Sequence, residues 1–203
     1  MRFLFFISIL FSVSVSAQDI NSIFISMPDS LSPILTKVNR QDFADFLSSG
    51  MKAVVKNKFG GDSEMLNLTD NYLRLKTTEV SVEEMKLLPL NDSVNIVCVV
   101  KTYSGPVEDS SIEFYSTDWK KLPADDYIIR PVVSDFYGNN NDSLSGFKDM
   151  FLYKAELREN NNDIKFIFRS LDATDKETSE KLATAVDKEI EYSWINGHYE
   201  KKY

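Results

Sequence analysis

Hydrophobic residues recur along the chain with two different spacings, and the change from one to the other predicts an α+β fold. In residues 39–55 the apolar positions are three or four apart, as in a helix with one buried face: Phe43, Phe46, Leu47, Met51, Val54 and Val55. From Tyr72 onward apolar and polar residues alternate, which is typical of half-buried strands. The pattern predicts antiparallel β-sheet with N-terminal helices and one helix near the C-terminus.

Capping residues place the first helices. Asp29 or Ser30 can cap a short helix that carries Pro33 in its first turn and ends near Thr36. Asn39 can cap a second, longer helix, which ends before the Gly60-Gly61-Asp62 break.

Four strands are predicted in the first half of the sheet region: 72–77, 85–90, 94–100 and 112–115. Because residues 94–100 are almost wholly apolar, they favour a central strand that is covered on both faces. Gly105-Pro106 marks the turn before the fourth strand.

The second half contains two predicted hairpins and a helix. Residues 151–158 and 164–169 alternate in polarity and are joined by a polar five-residue loop. Thr174 and Glu177 match a capping box for a helix to about residue 187. Asn196-Gly197 predicts a type I′ turn, whose strands would present one buried aromatic face and one charged face.

The domain organisation follows from the turn signals in residues 120–147, which predict loop with one short strand at 127–129. We expect residues 18–203 to form one α+β domain. Two related sub-lobes, 18–122 and 123–203, are the alternative, since Ile112-Glu113-Phe114 resembles Ile190-Glu191-Tyr192.

The N-terminus has the pattern of a secretory signal peptide. Arg2 precedes a short apolar run, and the small residues Val15 and Ala17 precede Gln18. We therefore expect residues 1–17 to be removed and the mature chain to be exported. No later apolar run approaches the length of a transmembrane helix, so no membrane span is expected after cleavage.

Composition and charge narrow the function classes. The chain is 43% hydrophobic and 27% charged, which excludes disordered and low-complexity proteins. Its net charge of −8 and lack of a basic patch exclude nucleic acid as a partner. A single Cys and a single His exclude a disulfide framework and a Cys/His zinc site.

No catalytic constellation emerges from the motifs. The chain lacks a phosphate-binding loop, a G-x-S-x-G elbow and an H-E-x-x-H pair. His198 flanks a tight turn, where an exposed surface histidine is expected, and Cys98 lies in an apolar run, where a buried thiol is expected.

Acidic and aromatic residues are also assigned structural roles. The neighbouring acids Glu83-Glu84 and Asp125-Asp126 are expected to point to opposite faces and to be solvated. The run 139–143 could hold Ca²⁺ but lacks the EF-hand pattern, and Asn-rich runs are typical of turns. Trp119 and Trp194 are expected in the core and not on a binding face.

Several segments of the mature chain resemble an uncharacterised domain-of-unknown-function family of exported Bacteroidales proteins. They are Met27-Pro28-Asp29, Pro33, Leu35-Thr36, Asn39-Arg40, Asp42–Phe46, Leu68–Leu73, Met85–Pro89, Lys101-Thr102-Tyr103, Pro106, Asp109–Ile112, Phe114-Tyr115 and Trp119. The resemblance implies no activity, cofactor or site residue. It implies the periplasm or outer surface of a Gram-negative bacterium, where Asp-Ser-hydrophobic motifs could carry O-glycans at Ser30, Ser93 and Ser143.

The sequence thus assigns no catalytic, cofactor-binding or metal-binding residue. We expect a non-enzymatic envelope protein that binds or scaffolds a protein or a glycan, with the loop-rich segment 120–147 as its contact surface. The alternative is a carboxylate-dependent hydrolase of envelope or extracellular glycans or peptides, which would need two acids from distant segments in one cleft.

Overall fold

Two antiparallel sheets and three helices make up the described part of the chain. The computed structural model describes residues 19–136, 147, 150–182, 186 and 189–202. The helices are α1 (Ile20–Ser26), α2 (Lys37–Ser48) and α3 (Lys176–Leu182). The strands are β1 (Val54–Lys56), β2 (Asp62–Leu68), β3 (Tyr72–Thr78), β4 (Ser81–Pro89), β5 (Asn95–Ser104), β6 (Glu108–Ser116), β7 (Lys121–Leu122), β8 (Tyr153–Leu157), β9 (Ile164–Phe168), β10 (Glu189–Ile195) and β11 (His198–Lys201).

Each sheet is a meander in which consecutive strands are neighbours. The larger sheet has the order β1-β2-β3-β4-β5-β6-β7, and the smaller has the order β11-β10-β9-β8. All strand pairs within the sheets are antiparallel. The predicted α+β class with antiparallel sheet is confirmed.

The middle strands of the larger sheet, β4 and β5, are buried on both faces. One face packs under α1 and α2, through a cluster that includes Phe24, Phe43, Met85 and Val99. The other face packs against the smaller sheet, through a cluster that includes Phe114 and Phe166. The central strand predicted at 94–100 is therefore covered on both sides, and residues 96–100 are all buried.

The N-terminal helices differ from the prediction. A helix at 20–26 precedes the expected first one, and residues 28–35 form turns. Thr36 caps α2, because its hydroxyl accepts from the Asn39 amide while the Asn39 side chain accepts from the Thr36 amide. The prediction of Asn39 as the cap was three residues late, since Asn39 occupies the N3 position of this reciprocal pair.

The end of the predicted helical stripe was also wrong. Val54 lies in β1, and Val55 pairs there with Ser63 of β2, a strand that the apolar spacing did not reveal. Leu47 and Met51 are exposed. The helix ends at Ser48, before Gly50, whose φ of 68° is left-handed.

The predictions for the second half are largely confirmed. The β8–β9 hairpin has the expected loop, and β10–β11 pairs Trp194 with Tyr199 as predicted. Asn196 and Gly197 both have positive φ, as a type I′ turn requires. Asp175, one residue after the predicted cap, accepts from the Thr178 amide and caps α3. The strand expected at 127–129 is a single bridge between Ile128 and Tyr199.

Both tryptophans belong to the packed interior as expected. Trp119 is buried and donates its indole N–H to the Ile23 carbonyl at 2.9 Å, which ties β6–β7 to α1. Trp194 is partly buried and donates to the Pro89 carbonyl at 2.7 Å. Each indole therefore joins two parts of the framework.

Some predictions concern residues outside the described ranges: the leader 1–17, the Asn-rich run 139–143 and the end of the predicted helix after 182. The division into sub-lobes at 122/123 stays a prediction. Among the described helices, none is both long enough and apolar enough to cross a bilayer.

We predict that Gly197→Ala destabilises the protein while Gly105→Ala does not. Gly197 has a φ of 85°, and an added Cβ would lie 3.1 Å from Cδ1 and 3.3 Å from the carbonyl oxygen of Leu90. A left-handed residue with a side chain costs about 1–3 kcal/mol. At Gly105 no atom lies within 4 Å of the added Cβ, so a change within about 0.5 kcal/mol is expected. Urea unfolding measures both, and equal losses would contradict the prediction.

Candidate functional site

Glu83 and Glu84 are adjacent acids in the middle of β4 and both are buried. Only 7% of Glu83 and 4% of Glu84 is exposed, so the expectation that they are solvated was wrong. They do point to opposite faces, because alternate residues of a strand lie on opposite sides of the sheet. The sequence signal for burial is that Glu83 shares its face with Met85 and Leu87, once β4 is extended back to residue 81.

Glu84 lies on the face toward the smaller sheet and has a partner. The Tyr72 hydroxyl donates to its Oε1 at 2.5 Å. Burial raises the pKa of Glu84, although the hydrogen bond from Tyr72 and the charge of Arg74 oppose this. Since the carboxyl is both buried and hydrogen-bonded, it fits a structural role between the sheets.

Lys86, two residues along the same face, is also satisfied. Its ammonium donates to Oδ1 of Asn71 at 3.1 Å and to the Glu159 carbonyl at 2.8 Å. Burial lowers its pKa. These bonds connect β4 to the β8–β9 loop, so the polar groups of this face hold the two sheets together.

Glu83 lies on the face toward the helices, and its Oε1 has no hydrogen-bond partner among the described residues. Burial raises its pKa to about 7; Lys101 and Arg40 lower it, and Glu113 raises it. A buried acceptor without a donor is destabilising, which sets Glu83 apart from Glu84.

A pocket of about 330 Å³ lies beside Glu83. One wall is the turn segment 31–34, and the other is formed by the ends of β3, β4 and β5, with Lys101 and Tyr103. Leu31, Pro33, Ile34 and Val80 make much of the lining apolar. A small, mainly apolar pocket with a few polar groups is the usual form of a ligand site.

Arg40 of α2 fixes the wall formed by the turn segment. Although only 1% exposed, its guanidinium donates to the Leu35 carbonyl at 3.1 Å, to the Met27 carbonyl at 2.5 Å and to the Asp29 carboxylate at 3.0 Å. Backbone carbonyls in a non-helical segment need such donors. Arg40 therefore holds residues 27–35 in the shape that leaves the pocket open.

Lys101 is the second polar group of the pocket. It lies directly opposite Glu83 in the β4–β5 register. Its side chain forms no hydrogen bond or ion pair within the residues that the structure describes. Glu83 and Lys101 both line the pocket, and because Oε1 of Glu83 is shielded from solvent, a ligand would meet the rest of this carboxyl and the Lys101 ammonium.

Glu113 lies on the same face of the sheet but its oxygens are engaged. Lys121 donates to Oε1 at 2.5 Å and the Tyr115 hydroxyl donates to Oε2 at 3.1 Å. Burial alone would raise its pKa, but these two bonds bring the pKa below its usual value. Glu113 does not line the pocket.

The other candidate residues of the sequence analysis lie outside this pocket. His198 is about half exposed, and its Nε2 lies 3.0 Å from Oε1 of Glu200. It lines a different cavity, of about 500 Å³, near the exposed Asp125 and Asp126. Cys98 is fully buried, and burial raises the pKa of its thiol.

The described serines of the possible glycosylation motifs do not line the pocket, and no metal site is found beside it in the described residues. Ser30 and Ser93 are exposed, whereas Ser143 lies outside the described residues. Within the described ranges no three His, Cys, Asp or Glu side chains are grouped so as to hold a metal ion.

Comparisons with known proteins place the chain among uncharacterised relatives. Residues 12–199 match a family described as "Protein of unknown function (DUF3256)". A solved structure of a domain of an uncharacterized protein from Porphyromonas gingivalis W83 is similar, with 25% identity and a TM-score of 0.82 over 92% of this chain and 99% of that one. No curated protein matches. The resemblance to a Bacteroidales family of unknown function is confirmed.

We predict that the free energy of unfolding of Glu83→Gln, relative to that of the wild type, increases as the pH rises from 4 to 8. Because the raised pKa of about 7 lets the folded chain hold the proton more tightly than the unfolded chain, the wild type loses stability as pH rises from about 4.5 to 7. The variant lacks this loss, so its advantage should grow by up to about 3 kcal/mol. Urea unfolding at several pH values measures the difference, and parallel pH profiles would contradict it.

Proposed function

Since the chain belongs to DUF3256, a family of unknown function, no activity can be taken from its relatives, and we propose a function from its own pocket. The protein is a non-enzymatic binding module that holds an apolar group of a partner, a protein or a glycan, in the pocket beside Glu83. Its setting is the periplasm or the outer surface of a Gram-negative bacterium. The N-terminal leader pattern and the Bacteroidales relatives support that setting.

The carboxyl of Glu83 carries this proposal, because it lines the pocket, its Oε1 is buried and no described donor bonds it. Leaving a buried polar atom without a partner costs about 1–3 kcal/mol. The same strand satisfies Glu84 with Tyr72, so the fold has the means to pair a buried acid. A ligand donor that bonds the accessible side of this carboxyl would offset part of the cost at Glu83, while the apolar walls would bury the rest of the ligand.

The mouth of the pocket also favours a partner. Val80 and Tyr103 line it, and each is 57% exposed. Val80 also lines a neighbouring cavity of about 750 Å³, together with Phe59, which is more exposed still. Large apolar side chains grouped at the entrance of a pocket are typical of a surface that a partner covers.

The contact surface proposed here differs from the one expected from the loop-rich segment 120–147. None of the described residues of that segment lines the pocket beside Glu83. The segment is described only to Phe136 and at Phe147, so its own role stays a prediction.

A carboxylate-dependent hydrolase is the second candidate, and one observation favours it. Glu83 has a raised pKa and Glu113 a lowered one, and both lie on the same sheet face. Opposite shifts in two neighbouring acids distinguish an acid from a base in hydrolases. Binding is the better-supported function because Glu113 is held by Lys121 and Tyr115 and does not line the pocket.

We predict that benzyl alcohol, a small apolar probe with one donor, binds in this pocket. When the protein is titrated with benzyl alcohol, the amide chemical shifts of Lys101, Tyr103 and the 31–34 segment should change. Tyr103→Ala removes part of the lining and should weaken binding several-fold. Ile129→Ala is the matched control, because Ile129 is exposed but lines the cavity near His198.

Shifts confined to the cavity near His198, or equal weakening by both variants, would contradict the binding proposal. A second assay, the release of 4-nitrophenol from 4-nitrophenyl glycosides, distinguishes the hydrolase from the binding module. Turnover that Glu83→Gln and Glu113→Gln each abolish would establish the hydrolase in place of the binding module.

A further inference from the structure

Glu83 and Lys101 place an acceptor and a donor side by side in the pocket. They are directly opposed on β4 and β5, where Cβ atoms are about 4.5–5.5 Å apart. No ion pair within 4 Å joins them in the described part of the chain. A ligand that hydrogen-bonds to both side chains must therefore carry a donor and an acceptor that lie close together in space.

The charges around the pocket disfavour an ionic ligand. An ammonium group that reaches Glu83 would meet Lys101, with the buried Arg40 also acting on this carboxyl. A carboxylate that reaches Lys101 would meet Glu83, with Glu113 nearby on the same face. A zwitterion would match both charges but would lose the hydration of two ions in a largely apolar pocket, whereas a neutral amide offers a donor and an acceptor without that loss.

The remaining polar groups of the lining favour a peptide over a glycan. The Ser81 hydroxyl lies 2.6 Å from the hydroxyls of both Thr77 and Thr78, so these three groups are engaged with one another. A sugar brings many hydroxyls, each of which needs a partner when buried. An apolar side chain needs none and fits against Pro33 and Ile34.

We propose that the ligand of the pocket is a peptide segment, whose amide N–H donates to the exposed side of the Glu83 carboxylate and whose amide carbonyl accepts from Nζ of Lys101. An apolar side chain of the same segment fills the space beside residues 31–34. This inference rests on the proposed binding function and names the partner as a polypeptide.

The test compares small probes that differ in their polar group. N-acetyl-phenylalanine amide is the peptide probe; 2-phenylethylamine, 3-phenylpropionate and phenylalanine are the cationic, anionic and zwitterionic probes; N-acetylglucosamine is the sugar probe. Binding to the full chain is measured by amide chemical shifts. The peptide probe should bind at least threefold more tightly than each of the others, since each lost hydrogen bond costs about three- to tenfold in affinity.

Two variants connect the preference to the two side chains. Glu83→Met and Lys101→Met should each weaken the peptide probe about three- to tenfold. Glu83→Met should leave 3-phenylpropionate no weaker than before, and Lys101→Met should leave 2-phenylethylamine no weaker than before. Ile129→Ala is the control, because Ile129 lines the cavity near His198 and not this pocket, and should leave the peptide probe unchanged. Lys101 is only partly buried, so its variant keeps the test valid if Glu83→Met fails to fold.

The outcomes separate this inference from the proposed function. If all phenyl probes bind equally at the lining residues, the binding function stands and the peptide inference fails. If phenylalanine or N-acetylglucosamine binds most tightly, a free amino acid or a glycan replaces the peptide. If Lys101→Met retains full affinity for the peptide probe, the inference fails, and if no probe moves a lining residue, the binding function fails as well.

Discussion

The burial of the middle strands of the larger sheet on both faces is the constraint on which the rest of the structure depends. Because side chains alternate along each strand, every central strand supplies two separate cores. In β5 this is met by an apolar run, and residues 96–100 are all buried. β4 is also buried on both faces, but it contains Glu83, Glu84 and Lys86. Three ionisable groups therefore lie in the interior.

In the described part of the chain, these ionisable groups are hydrogen-bonded on one face of β4 but not on the other. Toward the smaller sheet, Tyr72 bonds Glu84, and the Glu159 carbonyl bonds Lys86, so charged groups join the layers. Toward the helices, the buried Arg40 gives the donors of its two terminal nitrogens to the turn segment before α2, and its Nε has no described partner. Arg40 therefore holds the pocket wall and acts on Glu83 only through its charge.

The sequence predicted the elements whose signals are local. The Asn196-Gly197 turn, the β8–β9 hairpin and the apolar β5 each follow from a short pattern and are confirmed. The site could not be predicted in this way, because the burial of Glu83 depends on α1 and α2 packing over a strand that looks half polar. Tertiary contact decides whether such a strand has one wet face or none.

The central claim is that Glu83 is buried without a partner inside the protein, and a carboxyl ¹³C NMR titration of Glu83 in the unliganded chain tests it most directly. The account predicts a midpoint of about 7, because burial opposes ionisation there and no described donor stabilises the carboxylate. A midpoint of about 4.5 would show a solvated or hydrogen-bonded carboxylate and would contradict the account.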